Sequence, residues 1–188
     1  MTHLTTCALT RKARRLTHDS QAMHRTLAHI AHGHHLWGLP DAHTLVIQHD
    51  KPIHWPGVMP GVIDRTHTIE TTTPITGAPI EWAIIANPTK ARSQGPEKRG
   101  KVTPLEPGLW KKWIERKTAG AINIHDVDAT PLPTARGQRH TAVVTHRRVL
   151  FNGTGTVANH DLLAALQNEG IGRGKAYGCG LLIIQEAS

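Results

Sequence analysis

The run Gly170-Ile171-Gly172-Arg173-Gly174-Lys175-Ala176-Tyr177-Gly178-Cys179-Gly180 places five glycines and two cations in eleven residues. Glycine loses more conformational freedom on folding than any other residue. Such a density belongs where the backbone must turn sharply or approach another group closely. The run follows a helical pattern and precedes an apolar strand. A dinucleotide-binding turn has the opposite order, strand then helix, and the Gly-Lys-Ser/Thr ending of a P-loop is missing. Two readings remain open: a tight helix-to-strand turn, and a cradle whose amides, with Arg173 and Lys175, receive phosphate.

The pattern around this run predicts an α+β chain. Residues 3–10 and 42–48 read as strands, and Asp19-Ser20 caps a helix over 21–31 that Gly33 stops. Met23, Leu27 and Ile30 recur at helical spacing and form its buried stripe. The stretch 51–61, broken by Pro52, Pro56, Gly57, Pro60 and Gly61, is loop or a vestigial helical turn. Strands over 62–71 and 79–87 complete the outline of a ferredoxin-like unit with a degraded second helix. Residues 90–101 are basic and nearly free of apolar side chains. A helix over 106–118, a strand at 121–127 and a strand or strand pair over 139–151 follow. Asn159 then caps a helix with Leu162, Leu163 and Leu166 as its buried face, Gly170 ends it, and 181–185 form a closing strand. The expected division is 1–89, a basic connector 90–104, and 105–188.

Charge narrows the class of partner. Across 188 residues Lys and Arg number 22 and Asp and Glu 14, a net +8, with fifteen histidines besides. A polyanion is the natural counterpart. Aromatic residues are only 4% of the chain, too few for an extended face of stacked bases, so a surface that reads a phosphate backbone fits better. Cys7 and Cys179 are too few for a disulfide framework or a four-cysteine zinc site. No apolar run approaches the ~20 residues that span a bilayer, and Met1–Arg15 shows no secretory pattern. The expectation is a soluble, cytoplasmic protein without a membrane partner.

Three groups of side chains carry possible chemistry. His24, on the first long helix, is a candidate acid or base, since imidazole exchanges protons near neutrality without a metal. His29, His32, His34 and His35 form a cluster that reads either as a metal site or as an exposed histidine-rich helix end; no Asp or Glu lies between residues 20 and 40 to complete a mixed site. Lys90, Arg92, Lys98, Arg99 and Lys101, with only Glu97 against them, are candidates for phosphate contact. Lys111, Lys112, Arg116 and Lys117 on the following helix are further candidates.

Gly170–Leu182 (GIGRGKAYGCGLL) resembles the C-terminal glycine-rich motif of CRISPR-associated RAMP proteins, and among them the CasE family. Met23-His24-Arg25-Thr26-Leu27 is similar to that family's apolar-His-x-x-Leu signature. Ala86-Asn87-Pro88-Thr89-Lys90 is similar to its Ala-Asn-Pro-x-Lys strand end, and Gly100–Leu105 to the far side of its basic hairpin. The resemblance implies two tandem ferredoxin-like folds that bind the repeat stem-loop of precursor CRISPR RNA. It implies cleavage at the 3′ base of the stem without metal or other cofactor, and retention of the guide RNA with the protein subunits of Cascade. The family's catalytic histidine falls on His24. The family places a tyrosine three residues earlier; here that position is Gln21, which can donate a hydrogen bond but does not exchange a proton usefully.

On that resemblance the catalytic candidates are His24, Arg25 and Gln21, and no metal is expected. The RNA-binding candidates are Lys90, Arg92, Lys98, Arg99 and Lys101 with Gly172, Arg173, Gly174 and Lys175. The expected chemistry is attack of a ribose 2′-OH on its own phosphate, giving a 2′,3′-cyclic phosphate and a 5′-OH. Two other readings differ in class: an RNA-binding subunit that does not cleave, which Gln21 motivates, and a metal protein built on the histidine cluster.

Overall fold

The computed structural model describes residues 2–92, 100–139 and 142–187. Two four-stranded antiparallel sheets organise the chain. The first contains β1 (Thr2–Leu9), β2 (His35–Gly38), β3 (Thr44–His49) and β4 (Ile63–Thr71) in the order β2-β3-β1-β4. Between β1 and β2 lie a short α1 (Arg14–His18) and the longer α2 (Ser20–Ala31). Between β3 and β4 the second helix is reduced to one turn, α3 (Trp55–Val58), where prolines and glycines interrupt the chain. Connectivity and strand order are ferredoxin-like, with the degraded helix where the sequence placed it.

The second sheet repeats this plan. β5 (Pro79–Ala86) leads into a hairpin, β6 (Thr89–Arg92) and β7 (Lys101–Pro104), then α4 (Trp110–Thr118), β8 (Ile122–Arg139), β9 (Ala142–Val157), α5 (His160–Glu169) and β10 (Leu182–Glu186). The order is β10-β5-β9-β8. Here one expectation is corrected. The strand over 79–87 does not close the first sheet; it pairs with β9 and β10 in the second. Its inward residues Ile80, Trp82 and Ile84 belong to the core of that sheet, with Trp113, Phe151 and Leu163. Local alternation shows that a strand has a buried face, but not which distant strand it will pair with.

Three smaller readings also change. α2 ends on His32, which takes the left-handed conformation with φ 47°, one residue before Gly33. Leu162 is half exposed, so Leu163 carries the buried face of α5, with Leu166 partly covered. The strand expected at 121–127 continues to Arg139 through Pro131 and Pro133. β8 is an edge strand, where a missing N–H is tolerated, and a register shift between Leu132 and Ala135 accommodates the second proline. No helix among the described residues is long and apolar enough to cross a membrane.

Each sheet has its own core on its helical side. Met23 and Leu27 of α2 pack with Cys7, Trp37, Leu45 and Ile47 in the first. A thin third cluster, Leu36 and Val46 with Leu181, joins the two halves. On β9, Gly153 lies opposite Trp82. A Cβ there would sit 2.5 Å from both Asp126 O and Trp82 Cζ2. Gly153→Ala is therefore expected to cost about 1–3 kcal/mol, read from urea denaturation; an unchanged midpoint would mean that both the Trp82 indole and the Asp126 backbone give way freely.

Candidate functional site

α2 starts at Asp19, whose Oδ1 accepts from the N–H groups of Gln21 (3.0 Å) and Ala22 (3.1 Å). With Met23, Leu27 and Ala31 buried on one face, helical periodicity sets Gln21 and His24 along its flank. Arg25 is exposed. His24 is half-buried, and its ring centroid lies 5.3 Å from that of His35 at the start of β2. Burial, and then the neighbouring His35, push the His24 pKa below the ordinary imidazole value. His24 is therefore held neutral near pH 7, the form that accepts a proton.

The five glycines of the 170–180 run all have positive φ. Two positions show why. A Cβ at Gly172 would lie 3.1 Å from Trp113 Cη2, and one at Gly178 would lie 2.9 Å from Trp37 Cζ3. The run thus passes closely between a tryptophan of the second core and one of the first. It is also tied to itself and to β5: Ile171 N–H donates to Gly180 O (2.9 Å), Tyr177 N–H to Gly174 O (2.8 Å) and Gly180 N–H to Ile85 O (2.7 Å). The tight-turn reading describes its architecture. Among the described residues the N–H groups of Gly172, Arg173 and Gly174 have no backbone acceptor, and Arg173 and Lys175 are exposed.

Two of the basic segments singled out in the sequence meet this run. Lys90 of β6, Arg116 and Lys117 of α4, and Gly172 and Arg173 line one cleft of ≈ 300 Å³, floored by Trp113. Among the described residues its lining has four cations and no carboxylate. Lys101 is exposed on β7, its Cα paired with that of Arg92. Lys98 and Arg99 lie outside the described residues, as does the side chain of Arg92.

The run also contacts α2. A Cβ on Gly137 of β8 would lie 2.9 Å from both Gln21 Cγ and Tyr177 Cε1. The Tyr177 ring centroid is 4.1 Å from that of His146 on β9. Asn87 Nδ2–H donates to His146 Nδ1 (2.7 Å). Gln21, Tyr177, His146 and Asn87, far apart in sequence, converge here. His146 was one histidine among fifteen, and nothing in its local sequence marked it; Tyr177 stood out only as the sole tyrosine.

The histidine cluster separates. His29 and His32 are neighbours with centroids 5.7 Å apart, His34 bonds the Asn168 carbonyl of α5, and His35 turns toward His24. Among the described residues no three His, Cys, Asp or Glu side chains are grouped so as to hold a metal ion. Cys7 and Cys179 are free and buried, and burial pushes both thiols up to about 12.

His49 and His146 share with His24 a pKa lowered chiefly by burial. His49 is fixed in one neutral form: Nδ1–H donates to Lys51 O (2.7 Å) and Nε2 accepts from the Thr5 hydroxyl (2.9 Å). For such groups the unfolded chain takes up protons at higher pH than the folded one. Their contribution is present above the unfolded value of about 6.5 and is lost as pH falls through it toward the lower folded values. The only ion pair among the described residues, Arg65–Asp64, is exposed, so carboxylate pairing offsets little in this range. The urea midpoint is expected to fall between pH 7.5 and 5.5; a flat profile would contradict the buried neutral histidines.

The sequence model of a family described as CRISPR associated protein matches residues 1–186. No protein of curated function matches the chain. Solved structures share its fold over nearly the whole length. A structure of CRISPR endoribonuclease Cse3 bound to 19-nt RNA aligns with a TM-score of 0.82 at 24% identity, covering 98% of this chain and 100% of that one. Cas6e from Escherichia coli K-12 aligns at 0.74 and 20%, covering all of both chains. A chain of a CRISPR RNA-guided surveillance complex aligns at 0.71 and 20%, covering 98% and 100%. At these identities the structures establish the fold, two tandem ferredoxin-like units. Family membership rests on the sequence match, which runs through the α2 signature and the glycine-rich segment alike: the chain belongs to the CRISPR associated protein family.

Proposed function

We propose that this protein is an endoribonuclease that binds the repeat stem-loop of precursor CRISPR RNA and cuts at the 3′ base of the stem. The observation that carries the reading is His24: a half-buried imidazole held neutral on the helix that packs against the glycine-rich turn at Lys175–Tyr177. Cse3, which has this fold, is described as a CRISPR endoribonuclease and is seen with RNA bound.

In the proposed reaction the ribose 2′-OH attacks the adjacent phosphorus. The P–O2′ bond forms and the P–O5′ bond breaks, leaving a 2′,3′-cyclic phosphate and a 5′-OH. His24 takes the 2′-OH proton. The departing 5′-oxygen takes a proton from water, and the His24 imidazolium returns its proton to water, so the cycle closes. Arg25, exposed one residue on, is proposed to offset charge gathering on the phosphate. Gln21 donates a hydrogen bond rather than a proton. Holding the nucleotide in line supplies much of the rate. No step calls on a metal.

The test is cleavage of a repeat stem-loop with chelator present. The expected result is one cut with a 2′,3′-cyclic phosphate end, slowed about 10²–10⁴-fold in His24→Ala with RNA binding retained. Tight binding without cutting by the native protein would favour the second reading, a non-cleaving subunit, which the glutamine at position 21 supports.

The cleft of Lys90, Arg116, Lys117 and Arg173 is proposed to hold stem phosphates. The exposed cations Lys101 and Lys175, with Arg92, Lys98 and Arg99, extend that surface. A-form RNA hides its bases in a deep, narrow major groove, so recognition by charge and shape is expected. The mature guide RNA then stays bound, and the protein assembles with Cascade subunits in the cytoplasm. Arg116→Ala with Arg173→Ala should weaken binding to all stems alike and reduce the slope of log affinity against log salt by about 1 for each phosphate no longer neutralised. An unchanged slope would remove the cleft from the interface.

A further inference from the structure

We propose that His35 is a positioning residue for His24, accepting a hydrogen bond from its Nδ1–H and so leaving Nε2 bare as the proton acceptor. The role in catalysis rests on the nuclease reading above; the hydrogen bond itself does not. His35 Nδ1 lies 3.1 Å from Gly33 O. A carbonyl can only accept, so Nδ1 carries the hydrogen, and neutral His35 has its lone pair at Nε2. That Nε2 is buried and has no partner. On the neighbouring ring, 5.3 Å away between centroids, His24 Nδ1 is also buried and without a partner.

Two enclosed polar nitrogens on adjacent rings are each costly alone. They satisfy each other if one donates and the other accepts. His35 Nε2 is the acceptor, so His24 Nδ1 is the donor. With the centroids 5.3 Å apart, rotation about the side-chain bonds is what would bring the two nitrogens to hydrogen-bonding distance. The second nitrogen of His24 then follows: in a neutral imidazole, hydrogen at Nδ1 leaves Nε2 unprotonated. Of the two His24 nitrogens only Nδ1 is enclosed without a partner among the described residues, so the bare lone pair at Nε2 is the one offered to substrate.

The segment carrying His35 is held independently. His34 bonds the Asn168 carbonyl in the last turn of α5, and Leu36 and Trp37 are buried in two different clusters. His35 is thus placed by the joint between the halves. The same order of groups, carbonyl, imidazole, donor, is complete at His49, where Lys51 O and the Thr5 hydroxyl fix the ring.

The experiment is long-range ¹H–¹⁵N correlation on the full-length protein labelled with ¹⁵N-histidine, above the titration range, with His24→Ala assigning the signal. A neutral histidine side chain in water favours hydrogen at Nε2. The native protein is expected to show His24 protonated at Nδ1 instead. His35→Leu should return it to the Nε2–H form and slow single-turnover cleavage about 10–100-fold, with RNA affinity unchanged. His35→Gln, whose amide oxygen reaches toward the place of Nε2, should restore the Nδ1–H form and most of the rate. An Nε2–H form of His24 in the native protein overturns the proposal, and so does an Nδ1–H form that persists in His35→Leu. If His35→Leu does not fold, the native and His35→Gln spectra still decide it. A native protein with the Nδ1–H form that cuts no RNA overturns the nuclease reading and leaves the hydrogen bond standing.

Discussion

The structure depends on how closely the glycine-rich run can pass other groups. Gly172 lies against Trp113 and Gly178 against Trp37, one tryptophan in each main core. A side chain at either point would push the halves apart as well as strain a left-handed backbone. Because the run stays thin there, Tyr177 reaches α2 through the gap over Gly137, and Arg173 reaches the cleft beside α4. One turn therefore joins the helix that carries the histidine to the surface that carries the charge.

The candidate histidine and the cationic cleft thus lie in different halves of the chain. A ferredoxin-like unit packs its helices on one face of its sheet, which gives each half a core of its own. The apolar joint between the halves is small, Leu36, Val46 and Leu181, supplemented by polar bonds such as Gln48 Nε2–H to Gln167 O (3.0 Å) and Arg148 Nη1–H to Leu39 O (3.2 Å). Those bonds bring β3 against the end of α5 and the residue after β2 against the ribbon of β8 and β9. His24, half-buried and poor in nearby carboxylates, takes its neutral state from that enclosure.

Much of the fold was legible because it is local. α2 announced itself by an Asp cap and a Met23–Leu27 stripe; α5 by Asn159 and Gly170; the missing second helix by its prolines. The pairing of β5 was hidden because alternation names a face, not a partner. The length of β8 was hidden because Pro131 and Pro133 end a central strand but not an edge strand. β2 was missed for its shortness: four residues, His35–Gly38, give too little alternation to see. With β2 unseen, His35 looked like the tail of a histidine-rich helix end and was grouped with His29, His32 and His34.

The site divides along the same line. His24 was legible through the motif around it, and the basic segments through their density. His35 of β2 lies beside His24, Gly137 of β8 and Tyr177 of the glycine-rich run lie by Gln21, and only folding brings them together. Position 21 shows what this means for chemistry. A glutamine there cannot exchange protons, so any tuning of His24 must come from residues distant in sequence. The chain supplies two imidazoles at such positions, His35 beside His24 and His146 beside Tyr177. His146 has its Nδ1 already engaged by Asn87, whereas His35 keeps a buried nitrogen unpaired. An unpaired acceptor next to an unpaired donor is the arrangement that can set a tautomer, and for that reason His35 rather than His146 is the residue that orients His24.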